Sequence, residues 1–189
     1  QNQPLRYIGI DFSVAALHAA QDATSDALKH VDRLFSGRIS GPTPVSQQWV
    51  RGRSVETLPF ADHSFDRIVA NLSLSFSRSP LHALRELFRV LRPGGKLIVS
   101  VITPLADMAL PYRSSLQELG VDAFSGDARL ALNRMAQCCV ALRVGQLHAF
   151  QEESLSAALA QVTSTPTRLV RTFSGQILVA LAEKPDSAG

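Results

Sequence analysis

Residues 51–101 read RGRSVETLPFADHSFDRIVANLSLSFSRSPLHALRELFRVLRPGGKLIVSV. Phe65–Leu72 (FDRIVANL) is short and β-branched at its centre, and the turn-forming Asp62-His63-Ser64 precedes it. That combination predicts a buried strand. Ser79-Pro80 opens a helix: serine suits the N-cap, and proline suits the first helical position, where no N–H is needed. Leu81, Leu84, Leu87, Phe88 and Leu91 share one helical face, and His82, Arg85, Glu86 and Arg89 take the other. Pro93-Gly94-Gly95 then stops the helix and turns the chain, since proline presets φ and glycine accepts positive φ. Lys96–Val101 (KLIVSV) is a second, nearly continuous apolar run. Strand, crossover helix and strand predict a right-handed βαβ unit with a parallel pair.

The flanks extend this pattern. Upstream, Leu5–Asp11 (LRYIGID) reads as a strand ending in an acid. Ser13 is placed to cap the helix that follows, with Val14, Leu17 and Ala20 or Gln21 on its inner line. A second helical pattern runs from Asp22 to Phe35. Ser36–Ser46, with two glycines and two prolines, is a loop, and Gln47–Arg51 is the next strand. Downstream, Pro104 and Pro111 break the first part of 102–147. Ala128, Leu132, Met135, Cys139 and Leu142 then form a stripe at helical spacing that Gly145 ends. Gln151–Val162 is amphipathic, with Leu155, Ala158, Leu159 and Val162 inward. Thr167–Phe173 and Gln176–Ala182 read as two strands joined tightly at Ser174-Gly175. The fold class is α/β: a Rossmann-like, doubly wound, mostly parallel sheet with a C-terminal antiparallel hairpin, in a single domain over 1–189.

Composition bounds the function. A chain of 189 residues, 46% of them hydrophobic, is long enough to bury one full core. No apolar run is long enough to span a bilayer, and no secretory signal pattern is present. Cys138 and Cys139 are adjacent in a helical stripe, a poor arrangement for a disulfide or a metal site, so core packing in a reducing cytoplasm is expected and no metal set is assigned. The net charge of +3 comes from dispersed arginines without interleaved aromatics, which argues for a solvated face and against nucleic-acid binding.

LPFADHSFDRIVANLSLSF followed by LRELFRVLRPGGKLIVSV resembles the small class I methyltransferases of type 11 that use S-adenosylmethionine. The resemblance runs from about Leu5 to Val101 and more weakly to Lys184. It implies methyl transfer from S-adenosylmethionine to a small-molecule acceptor, with 102–147 as a helical cover over the substrate. It also implies a first strand ending in a glycine-rich loop, yet only ten residues precede Asp11 and none is a suitable loop glycine. The expectation is therefore a chain truncated at its N-terminus, or a slot in the sheet filled by a partner segment or by a second copy in a homodimer. The absent loop also leaves open a degenerate domain that binds without catalysis.

The resemblance carries over to particular residues. Asp11, with its neighbour Phe12, matches the acid that accepts hydrogen bonds from the cofactor's ribose hydroxyls; a carboxylate is acceptor-only and takes two O–H donors at once. The alternative for Asp11 is a cap on the turn into the helix. Counting back from Leu58-Pro59 puts Ser54, and counting forward from Gly52 puts Arg53, at the position of an adenine-binding aspartate; neither is a carboxylate, so the adenine contact falls to the Ser54 hydroxyl or to the backbone N–H of Val55. Asn71 and Leu72 follow the fourth strand of such a sheet, where ligands bind beyond the carboxyl ends; the alternative for them is a structural turn. Leu74-Ser75-Phe76 offers no histidine base, and no catalytic residue is assigned. Glu56 reads as a surface residue. Tyr112, Phe124 and His148 are further candidates for the substrate side.

Overall fold

A computed structural model of the chain describes residues 5–35, 45–107, 109–119 and 126–186. They divide into two compact units, Gln1–Ser54 and Val55–Gly189.

In the first unit, strand β1 (Leu5–Asp11) pairs in parallel with β2 (Val45–Arg51), in register from Leu5 opposite Val45 to Asp11 opposite Arg51. Between them runs helix α1 (Val14–Phe35). The two helical patterns in the sequence form one continuous helix, because no glycine or proline interrupts residues 14–35. Ser13 caps it as expected: its Oγ accepts the N–H of Ala16 at 3.3 Å. Leu17 is buried, whereas Val14 is exposed. Gly9 lies under the Trp49 ring opposite, so that a Cβ there would sit 2.3 Å from a ring carbon. The loop expected over 36–46 lies outside the described residues up to position 44, and β2 begins at Val45.

The second unit is a four-stranded sheet in the order β3-β4-β6-β5. β3 (Phe65–Asn71) and β4 (Leu91–Ile102) are parallel, and β6 (Ile177–Glu183) and β5 (Arg168–Thr172) form the antiparallel hairpin. Parallel strands, a crossover helix and a terminal hairpin are the α/β architecture read from the sequence. A short helix α2 (Ser73–Phe76), which the sequence pattern does not announce, follows β3. The crossover helix α3 (Pro80–Val90) has Pro80 at its first position. It buries Ala83, Leu84, Leu87 and Phe88 against one face of the sheet, together with Leu155 and Leu159 of α6 (Glu152–Ala160). Each such leucine contributes about 1.5–3 kcal/mol of burial.

Three local expectations change. Pro93-Gly94-Gly95 lies inside β4 rather than in a separate turn: the pairing of β3 slips between Phe65–Leu91 and Arg67–Lys96, and the extra β4 residues bulge out, with Gly94 at φ 68°. Pro111 sits in the first turn of α4 (Ala109–Leu119) instead of breaking it, because that turn's N–H groups need no helical partner. β3 is not buried on both faces: Val69 is 69% exposed and shares a row with the part-exposed Ile98 and Leu181, on the face opposite α3 and α6. Near its other end that face meets α5 (Gly126–Arg143), where Ile102 and Ala106 pack with Cys139 and Leu142. The cysteines are free and part of the packing, as the stripe predicted.

Candidate functional site

Two groups of residues answer to the positions singled out in the sequence, one in each unit.

In the first unit, Asp11 ends β1 half-buried. Its Oδ1 accepts the N–H of Ser13 at 2.8 Å, and its backbone oxygen accepts the N–H of Gly52 at 2.9 Å. The cap reading of Asp11 is thus realised, but on one oxygen. Oδ2 has no partner among the described residues, which leaves a fixed, acceptor-only group at the carboxyl end of a strand. That acceptor fits the O–H groups of a ribose, which would donate to it. Phe12 is 67% exposed. Ser54 is half-buried and ends the unit; Val55 packs its side chain into the core of the second unit, which takes that side chain away from a ligand.

In the second unit the carboxyl ends of β3 and β4 are tied together. Asn71 is exposed, and its Oδ1 accepts a short hydrogen bond from the hydroxyl of Ser100. The Leu72 N–H reaches both the backbone oxygen and the Oγ of Ser100, each at 3.0 Å. Leu72 holds φ 56°, a left-handed conformation that costs a non-glycine residue about 1–2 kcal/mol. Its side chain packs on the Ile102–Leu142 cluster, and its carbonyl accepts the Ser75 N–H at 3.0 Å, so both backbone groups are bonded within the fold. Ser100 was not anticipated. The signal was available: it is the lone hydroxyl in the apolar run KLIVSV, and a buried hydroxyl demands partners.

The motif residues before β3 and on α3 bond to one another. Glu56, expected at the surface, is half-buried; its Oε1 accepts the Ser77 hydroxyl at 2.5 Å and the Ser79 N–H at 3.0 Å. Glu56, and not the Ser79 side chain, therefore satisfies the entry to α3. Glu86 accepts the N–H of Leu58 at 2.7 Å and is clamped by Arg89, whose guanidinium also reaches the Phe60 oxygen and Asp62. Arg89 holds the Glu86 carboxyl below the ordinary carboxylate range, against the opposing pull of burial, and the two carboxylates raise Arg89 in return.

His148 is exposed and donates its backbone N–H to Ser75; Tyr112 is half-buried on α4. Phe124 lies outside the described residues. Burial pushes the Cys139 thiol upward, away from nucleophile chemistry. A cleft of about 480 Å³ opens beside Thr103–Leu105, Gln151 and Arg171. Its polar groups are largely paired: Arg171 with Glu152 at 3.3 Å, Thr103 with the Gln176 oxygen at 3.2 Å.

A methyltransferase domain family model matches residues 1–99, which include Asp11, Asn71 and the Glu86–Arg89 clamp. The chain belongs to this methyltransferase domain family. It is 38% identical over 80 residues to the ubiquinone/menaquinone biosynthesis C-methyltransferase UbiE of Roseobacter denitrificans, covering 42% of this chain and 32% of that one. It is 51% identical over 49 residues to the malonyl-[acyl-carrier protein] O-methyltransferase of Erwinia pyrifoliae, covering 26% and 19%. The matched stretches are a third or less of the length of these curated relatives. A solved SAM-dependent methyltransferase structure from Methanosarcina mazei aligns with 99% of this methyltransferase domain and 95% of that chain, at a TM-score of 0.54 and 18% identity. That likeness supports the Rossmann-like fold. No helix among the described residues is long and apolar enough to cross a membrane.

Proposed function

We propose that this methyltransferase domain binds S-adenosylmethionine and serves methyl transfer to a small-molecule acceptor. The observation that carries the reading is Asp11: a carboxylate at a strand's carboxyl end, one oxygen pinned by Ser13 and the other free, within the stretch matched by the family. The cofactor supplies an electrophilic methyl group on a sulfonium. Asp11 accepts from the ribose hydroxyls, with the Phe12 ring exposed beside it. By the family resemblance, residue by residue, Ser54 or the backbone N–H of Val55 meets the adenine, and Asn71 and Leu72 contact the ligand at the end of β3. Methyl transfer needs alignment and exclusion of water more than a proton-transfer residue, which agrees with a chain that offers no histidine at Leu74-Ser75-Phe76. The names of the relatives, a quinone-pathway C-methyltransferase and a malonyl-carrier O-methyltransferase, favour a small or carrier-borne acceptor. The free thiols Cys138 and Cys139 suit a reducing cytoplasm.

The test is calorimetric titration with S-adenosylhomocysteine and S-adenosylmethionine. Saturable one-site binding is expected. A folded protein that binds neither overturns the enzyme reading in favour of a non-catalytic binding module.

A further inference from the structure

Ser100 is 9% exposed near the carboxyl end of an apolar strand, a position where an unpaired hydroxyl is costly. Its hydroxyl has one proton to give. The Leu72 N–H occupies an acceptor position on Oγ, so the proton goes to Asn71 Oδ1. The opposite amide orientation leaves that proton without an acceptor, since Oγ would then accept from two donors and give to none. The network therefore fixes the Asn71 amide with its oxygen on Ser100 and its NH2 group outward. Asn71 is exposed, and its Nδ2 has no partner among the described residues. The same serine anchors Leu72 in its left-handed conformation through two contacts to the Leu72 N–H.

We propose that Ser100 is a positioning residue that presents the Asn71 amide as a fixed hydrogen-bond donor to a carboxylate oxygen of the bound ligand, the methionyl carboxylate of the cofactor. The inference rests on the proposed cofactor binding. A free NH2 group is donor-only, and the α-carboxylate is the anionic, acceptor-only group of S-adenosylmethionine. Asn71 contacts the ligand; Ser100 acts through Asn71 by removing the amide's rotational freedom.

Two measurements test this. The first is ¹⁵N relaxation of the Asn71 side-chain amide in the free protein. It is rigid in wild type and Ser100→Thr and mobile in Ser100→Ala; equal mobility in wild type and Ser100→Ala overturns the inference alone. The second is titration with S-adenosylhomocysteine and with its decarboxylated analogue. Asn71→Asp keeps an acceptor for the Ser100 hydroxyl but replaces the outward donor by charge. It lowers affinity for S-adenosylhomocysteine by about tenfold or more and spares the decarboxylated analogue, with the melting temperature unchanged. Ser100→Ala weakens the same ligand selectively and Ser100→Thr restores it. Asn71→Asp that binds S-adenosylhomocysteine as wild type does overturns the carboxylate contact. Wild-type protein that binds no S-adenosylhomocysteine sinks the proposed function itself, and the ligand half of this inference with it.

Discussion

Glu86 Oε1 accepts the backbone N–H of Leu58 at 2.7 Å, tying the crossover helix to the loop that precedes β3. The tie works because Arg89 closes over both, bonding Glu86 through two nitrogens at 2.7 Å and the Phe60 oxygen at 2.9 Å. Glu86→Gln keeps the shape but loses the charge, and is expected to cost about 1.5–3 kcal/mol. The pH dependence has a definite sign. The folded pKa of Glu86 is lowered, first by Arg89, so the unfolded chain binds more protons in acid. Its contribution is complete above the ordinary carboxylate value and is lost as pH falls through the depressed folded value. Urea unfolding between about pH 3 and 6 should show a shallower acid loss in Glu86→Gln than in wild type; parallel curves would remove Glu86 from the acid limb.

Lys184 closes the same helix from the other end. Its Nζ donates to the carbonyls of Phe88 at 2.6 Å and Leu91 at 2.8 Å, where the helix leaves acceptors unpaired. Burial pushes the ammonium downward in pKa, but these carbonyls and the helix C-terminus favour its charge. Lys184→Met, which keeps the stem and removes the donors, should cost about 1–3 kcal/mol in thermal or urea unfolding. An unchanged midpoint would show that water replaces the lysine at no loss.

The sequence carried the elements that depend on local chemistry. β1, the Pro80 helix, the KLIVSV strand and the terminal hairpin follow from periodicity and turn residues, and each stands where that pattern puts it. What escaped depends on partners distant in sequence. Glu56 reads as surface in its own window, yet residues 77 and 79 make it a helix cap. Val69 reads as buried because parallel strands usually are, yet its row remains exposed. Asp11 and Asn71 were legible as candidates because each closes a recognisable strand and matches a position of the resembling family. Ser100 was legible only as an oddity, since its two partners lie 28 and 29 residues away.

Gly94 and Gly95 differ in what they tolerate. Gly94 has φ 68°, and a Cβ would meet only the carboxylate end of Asp186, a group free to swing aside. Gly94→Ala should therefore cost about 1–2 kcal/mol from the backbone conformation, and Gly94→Val more. At Gly95 a Cβ would lie 2.7 Å from the Arg92 carbonyl and 2.8 Å from the buried Leu91 side chain. Neither neighbour yields without moving β4. Gly95→Ala should lower the melting temperature more than Gly94→Ala, and the reverse order would refute the bulge geometry.

Asp11 separates binding from folding. Asp11→Ala removes both the free oxygen and the acceptor for Ser13, so it should weaken S-adenosylhomocysteine and also loosen the start of α1. Asp11→Asn retains a carbonyl oxygen for the Ser13 N–H while replacing the second acceptor by an NH2 group, which cannot accept from a ribose hydroxyl. Loss of charge-assisted bonds predicts a fall in affinity of about 1.5–3 kcal/mol, roughly ten- to hundredfold, with little change in unfolding midpoint. A ligand with the ribose hydroxyls removed, 2′,3′-dideoxy-S-adenosylhomocysteine, should bind wild type and Asp11→Asn alike. If Asp11→Asn instead shifts the unfolding midpoint and leaves affinity intact, the carboxylate serves the turn into α1 and the ribose contact belongs elsewhere.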